Sequence, residues 1–267
     1  MPKRLAIAYP GDDLSDEAAL TPIRPRAAGA QAIFLLGTDA ARSGCNRVKG
    51  GVPGAMSGTP VAYGSGFVRF NGEEGANQSR LDTRIKQSLT NTLYAAYRPA
   101  SPTIDPEAQP VVWSTGLGFA LNNQNEAGNR TSNGIALWTS QAGYLSLSVA
   151  TYNPTTETAL PIVFALTGID YTIWHDFVVT IGPTLVTIDD LTTGAHAERT
   201  VTAGYVIDPN GSSIIWGDSA GTQTVRDGIG DHGVAAIFNE LHSADDRAAT
   251  HAQFRERQRL ASPSIDL

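Results

Sequence analysis

Apolar residues in this chain come in short runs broken by glycine, proline and asparagine, and within many runs they alternate with polar ones. In Tyr144-Leu-Ser-Leu-Ser-Val149, Leu145, Leu147 and Val149 share one face and the serines the other, the period of two that marks a half-buried strand. Comparable runs cover residues 67–70, 79–85, 92–98, 111–114, 116–121, 134–139, 162–167, 173–181, 184–188, 198–201, 213–217 and 222–226. Ala32-Ile-Phe-Leu-Leu36 and Val234-Ala-Ala-Ile-Phe238 are continuously apolar and short, as buried strands are. One helix signal stands apart. Ser243-Ala-Asp-Asp246 has the spacing of a capping box, in which the serine hydroxyl accepts a free amide and the carboxylate reaches back, and a helix is predicted to follow it through Arg255-Glu-Arg-Gln-Arg259. Many strands and one late helix predict an all-β sandwich of two antiparallel sheets with a short C-terminal helix.

Turn residues divide the chain further. Asn71-Gly72 tolerates positive φ and predicts a tight hairpin, and Gly182-Pro183 predicts an antiparallel return between Ile181 and Thr184. Residues 37–66 are rich in glycine, serine and proline and read as a long surface excursion that buries Met56 and Val61. The first thirty residues carry Asp12, Asp13, Asp16 and Glu17 and the segment Thr21-Pro-Ile-Arg-Pro25, whose prolines forbid a central strand. Residues 1–30 are therefore expected to be an arm or linker that packs on this domain's surface or on a partner, and residues 31–267 one domain.

With the strands in place, four pieces in order resemble the concanavalin A-like, laminin-G-like jelly-roll family: Phe67-Val-Arg-Phe-Asn-Gly72, Thr92-Leu-Tyr-Ala-Ala-Tyr-Arg-Pro99, Trp174-His-Asp-Phe-Val-Val-Thr180 and Ala236-Ile-Phe-Asn-Glu-Leu-His-Ser243. The resemblance spans about residues 30 to 255. It departs from the family at Tyr97, where tryptophan is common, and at Asp189-Asp-Leu-Thr-Thr-Gly194, where a Y-x-D-G strand end is usual. It implies a concanavalin A-like jelly-roll sandwich in which Trp174 and Phe177 pack in or at the core and His175 lies on the surface beside them. Domains of this family on bacteriophage tail fibres, baseplates and capsid surfaces bind host glycans or decorate the particle.

Composition narrows the chemistry. The 267 residues are 41% hydrophobic and 17% charged, and the net charge of −7 speaks against a nucleic-acid surface, which needs clustered Lys and Arg. No run approaches the ~20 apolar residues that cross a bilayer. Met1-Pro-Lys-Arg4 followed by the short run Leu5 to Tyr9 does not read as an export signal. The single Cys45 cannot form an internal disulfide, which fits folding in a reducing cytoplasm.

An enzyme reading finds little to stand on. A strand-borne Glu-x-Asp-x-Glu would aim alternate carboxylates into one cleft, but Glu73-Glu74 and Asp189-Asp190 are adjacent and face opposite ways. His175, His196, His232, His242 and His251 form no metal-ligand pair. The chain is expected to be non-enzymatic and without a cofactor. Calcium at the rim is a candidate, with Asp39, Asp82, Asp218 and Asn122-Asn123 as oxygen donors that no loop signature selects.

Carbohydrate binding is the positive candidate. Sugars are held by aromatic faces and by directional hydrogen bonds to their hydroxyls. Asn122, Asn123, Asn125 and Arg130 lie on a polar stretch flanked by Trp113 and Trp138, and these six residues are the candidate glycan rim; the competing reading places both tryptophans in the core. The expected function is a virion structural or attachment protein of a bacteriophage, made in the host cytoplasm. Its expected partners are other virion proteins through the N-terminal arm, copies of itself as a homo-oligomer, and a host surface glycan, without membrane insertion. The alternative is a lectin-like adhesin or a secreted glycan-active protein.

Overall fold

The computed structural model describes residues 25, 27–72, 78–115, 134–209, 211–218 and 228–261, the last three by backbone alone. In chain order, β1 (Ala30–Leu35) is followed by a single helical turn, α1 (Ala40–Ser43), and by β2 (Ala55–Ser57), β3 (Ala62–Gly64), β4 (Phe67–Asn71), β5 (Arg80–Lys86) and β6 (Asn91–Pro99). There follow β7 (Val111–Ser114), β8 (Ile135–Gln141), β9 (Tyr144–Val149), β10 (Thr151–Asn153), β11 (Thr158–Ala159) and β12 (Ile162–Thr167). The chain continues through β13 (His175–Ile181), β14 (Leu185–Asp190), β15 (His196–Thr200), β16 (Val206–Ile207), β17 (Ser213–Trp216) and β18 (Ile229–Phe238), and ends in α2 (Ala244–Ala261).

Among the described residues, two large sheets make the sandwich that the alternation predicts. One runs β15-β14-β13-β6-β18-β4-β3, with β1 also on β18; the other runs β12-β9-β8-β7-β17-β5-β2; both are antiparallel. A small third sheet, β11-β10-β16, closes one corner. Leu145, Leu147 and Val149 are buried between the large sheets as their spacing requires, beside Phe34, Leu93, Trp113, Ile188, Trp216 and Ile237. Ser146 and Ser148 on the opposite face are nearly as buried, while Val163, paired with Ser148, is 52% exposed.

The outer face of the first sheet is closed by α2. The predicted capping box is present: the Ser243 amide donates to Asp246 Oδ2 at 3.1 Å and the Asp246 amide donates to Ser243 Oγ at 3.2 Å. Phe254 packs against Tyr94 with ring centroids 5.5 Å apart, over Ile33, Val178, Val234, Ala236 and Phe238. At the rim of this contact His251 lies 2.6 Å from Asp176 and Arg247 lies 3.5 Å from Asp189.

Four expectations change. Residues 37–66 are not free of structure, because β2 pairs with β5 and β3 with β4, giving each large sheet an edge strand too short to show in the sequence. Met56 is half-buried against the core, but Val61 is 52% exposed. Asn71-Gly72 does not close a hairpin, since β4 and β5 belong to different sheets; Asn71 is buried and its amide donates to Ser79 Oγ at 2.8 Å, sealing a crossover. His175 is not on the surface but fully buried. The Gly182 return is as predicted, with its amide donating to Leu185 O at 2.9 Å. The strand candidates 116–121 and 222–226, and residues 1–24 of the arm, lie outside the described residues.

β18 organises the first sheet. One side pairs with β6 along its length, and the other side pairs first with β4, from Ile229 to His232, and then with β1, from Val234 to Phe238. Where the two partners meet, the register slips by one residue at Gly233. A β-bulge of this kind turns the side chains before it onto the opposite face from the one that strict alternation would give.

Candidate functional site

Counting back by twos from Ala235 and Ile237, which face the core, Asp231 would also point inward. The bulge reverses this. His232 turns into the core beside Tyr97 and Phe70, and Asp231 turns outward in register with Arg98 on β6 and Arg69 on β4. A carboxylate in the core would be costly; on the outer face it meets two cations.

Asp231 is fully buried beneath those two side chains. Arg69 grips it with both arms of its guanidinium, Nε to Oδ1 at 2.6 Å and Nη2 to Oδ2 at 2.9 Å, while Arg98 Nη2 donates to Oδ2 at 3.0 Å. Burial alone would raise the carboxyl pKa, but the hydrogen bonds and charges of the two arginines outweigh it and hold Asp231 below its ordinary value. The hydrogen bond to Asp231 in turn raises Arg69. Arg98 also lies over the ring of Trp174, 5.2 Å from its centroid, and Trp174 packs against Phe67 at 5.9 Å. The arginine side chains stay 32% and 31% exposed. The result is a platform on the same outer face, beside the residues that α2 covers, where two immobilised guanidiniums keep donors without a partner among the described residues next to Trp174 and Phe67.

The histidines and other acids are spent differently. His175 sits between Asp190 Oδ2, 2.8 Å from Nδ1, and the Asp170 carbonyl, 2.8 Å from Nε2, so both ring nitrogens face acceptors. Burial pulls its pKa down, but these two bonds and the Asp190 charge outweigh that and leave it raised. Thr193 Oγ1 also donates to Asp190 Oδ2 at 2.6 Å. Both side chains of the pair are wholly buried, and His175 stacks on Phe177, so the pair ties β13 to the end of β14 and is closed to a substrate. His242 accepts from the Tyr94 hydroxyl at 2.7 Å and donates to the Ala28 carbonyl at 3.3 Å. His196 pairs with Asp189 on the surface.

Of the six residues of the predicted rim only the two tryptophans are among the described residues, and they take opposite faces of one sheet. Trp113 is fully buried in the inter-sheet core, its ring 6.2 Å from that of Trp216, and offers no face to a sugar. Trp138 projects from the other face of the same sheet with Val111 and Ala136 and is only 7% exposed. Their spacing of opposite parity across the β7–β8 ladder, with a bulge between Val111 and Trp113, is what separates them. Asn122, Asn123, Asn125 and Arg130 lie outside the described residues. Of the calcium candidates, Asp39 caps α1, Asp82 accepts the Arg84 amide at 2.8 Å and Asp218 pairs with Arg80 at 3.1 Å. Among the described residues no three of His, Cys, Asp and Glu cluster as metal ligands would.

Sequence reasoning missed the platform. Its faint signals are an arginine alternating with apolar residues in Phe67-Val-Arg-Phe70, and a charge between glycines in Gly230-Asp-His-Gly233, where a strand glycine marks a bulge.

Neither protein-family models nor curated protein sequences match the chain. Solved structures do. The receptor-binding domain of botulinum neurotoxin D aligns with a TM-score of 0.51 at 9% identity, covering 84% of this chain and 53% of that one. The binding domain of Paraclostridial Mosquitocidal Protein 1 gives 0.53 at 13% identity, covering 84% and 52%. The botulinum neurotoxin serotype D ligand-binding domain in complex with N-acetylneuraminic acid gives 0.51 at 10%, covering 84% and 51%. The likeness is one of fold. The chain spans about half the length of these domains, all of which are described as binding domains.

Proposed function

We propose that this chain is a non-enzymatic attachment module that binds carbohydrate, serving as a structural or attachment component of a bacteriophage particle. The observation that carries the binding reading is the outer-face platform: guanidinium donors fixed from below by a buried carboxylate and, for Arg98, by the buried ring of Trp174, with half-buried Phe67 alongside, supply the directional polar groups that a sugar requires. The buried His175–Asp190 pair, the one histidine–carboxylate pair sealed inside the described fold, has no access for a reacting group and supports a binding rather than a catalytic role. Likeness of fold to toxin receptor-binding domains, one of them solved with N-acetylneuraminic acid, supports attachment as the task.

The virion setting rests on the family resemblance and on the proline-containing acidic stretch before β1, which suits a segment that docks into a neighbour. A glycan array probed with the folded chain is the direct test of binding. Reproducible hits are expected, and a blank array from protein with an intact melting transition would remove the glycan reading. For the arm, light scattering on the full chain and on a form lacking residues 1–24 should show a loss of oligomer in the shorter form; equal masses would remove the arm as an assembly element.

A further inference from the structure

Among the described residues the platform holds one carboxylate and two guanidiniums, and that count is not balanced. Asp231 is the acid with which Arg69 and Arg98 form ion pairs, and both of its oxygens are filled by them. One bidentate arginine is enough to neutralise a buried aspartate. The second leaves a surplus positive charge, about one-third exposed, on a protein whose net charge is −7. Nε and Nη1 of Arg98 and Nη1 of Arg69 remain as donors without a partner among the described residues. Neither side chain has to be ordered to use them, because Arg69 is locked by two bonds to Asp231 and Arg98 by one bond and by the face of Trp174. A ligand therefore meets donors whose rotamer entropy is already lost on folding. An anion suits them best, since guanidinium only donates, its bonds to charged acceptors are the stronger ones, and its planar fork matches carboxylate, phosphate or sulfate oxygens.

We infer that the outward edges of Arg69 and Arg98 bind the acidic group of a sugar, a carboxylate or a sulfate, completing an arrangement of two anions and two cations around the bulge of β18. This rests on the carbohydrate-binding reading and names the class of glycan within it. Asp231 has two parts in it: it fixes the guanidiniums, and its own charge lowers their affinity for a second anion. Trp174, beneath Arg98, fixes that cation and leaves the polar edges to the ligand.

The test uses the full chain and three immobilised probes: sialyllactose, a sulfated lactose and lactose itself, at 50 mM and 500 mM salt. Binding to at least one acidic probe above lactose is expected, weakening at the higher salt as exposed charge interactions do. Arg98→Gln and Arg69→Gln should each weaken the acidic probe by about tenfold or more, the factor carried by a charge-assisted hydrogen bond, and weaken lactose by a smaller factor. Whichever acidic probe is preferred tells carboxylate from sulfate. Arg98→Lys keeps the charge but not the fork and should fall between wild type and Arg98→Gln, which guards against a variant that fails to fold. Acidic binding that survives both glutamine variants, or binding of lactose alone, overturns the inference and leaves carbohydrate binding standing. No binding of any probe by the folded chain overturns both.

Discussion

His232 is the residue whose replacement most directly tests the packing of this fold. The bulge drives its ring into the core between Phe70 and Tyr97, 5.1 and 5.0 Å away, where neither ring nitrogen has a hydrogen-bond partner among the described residues. Burial pulls its pKa down to about 3, against a small opposing pull from Asp231. In the unfolded chain the same imidazole titrates near its ordinary ~6.5. Between those values the unfolded state takes up a proton that the native state refuses. Stability from this group is therefore full above pH 6.5 and is lost as pH falls from 6.5 toward 3. Each pH unit costs about 1.4 kcal/mol, so moving from pH 7.5 to pH 5 removes about 2 kcal/mol. That is a large part of the ~5–15 kcal/mol by which a domain is held. His242 shifts in the same direction, through burial first, and adds to the slope. Phenylalanine at 232 keeps a planar ring between Phe70 and Tyr97 and removes the titration. Urea midpoints followed by tryptophan fluorescence at pH 7.5, 6.5, 5.5 and 5.0 should show wild type losing stability by at least that ~2 kcal/mol more than His232→Phe. Parallel pH profiles for the two proteins would refute a buried neutral His232 and with it the register assigned to the bulge.

Three further outcomes follow from the same structure. Asp190→Asn leaves His175 buried without its carboxylate and should cost about 3 kcal/mol near pH 6, read by urea denaturation. The His175 share of that pair is full below pH 6.5 and fades as pH rises through its raised native value, so the cost shrinks above it. Trp113→Ala should cost ~3–5 kcal/mol in stability while leaving any glycan affinity unchanged in protein that still folds; selective loss of binding at native stability would return Trp113 to the site. Gly58→Ala places a methyl 1.6 Å from the Gln78 carbonyl, whereas Gly168→Ala, at a similar positive φ, meets nothing within 4 Å. Gly168→Ala should cost about 1 kcal/mol of backbone strain and Gly58→Ala several times more in thermal denaturation.

The strands were legible in the sequence where burial repeats at fixed spacing, as in Leu145, Leu147 and Val149, and the helix start was legible because a capping box is local. Features that depend on distant pairing were not. Arg98 and Arg69 are 133 and 162 residues from Asp231, and nothing near either arginine announces the partner. The family resemblance implied a surface His175, and the Asp190 with which it pairs inside the fold lies beyond the next turn. The two tryptophans looked like a pair because sequence distance hides which face of a sheet a side chain takes. One bulge decides more of this surface than any motif, and Gly233 hints at it without saying which residues it turns, which only the paired strands decide.

The pairing of β1 with β18 has a mechanical side. Ala30 stands opposite Phe238, the Asn239 amide donates to Gly29 O at 2.9 Å, and His242 holds the Ala28 carbonyl, so the chain enters the fold at the corner where it leaves β18 for α2. Tension between residue 27 and the start of the helix would open that ladder one pair at a time, as a zipper opens. Tension between residue 27 and the far end of the sandwich, near Gly233, would load the whole ladder in shear, which yields only at much higher force. An assembly that grips this domain near residue 27 and by its distal face would thus use the strong direction, and one that grips both at the helix corner would hold it by its weakest seam.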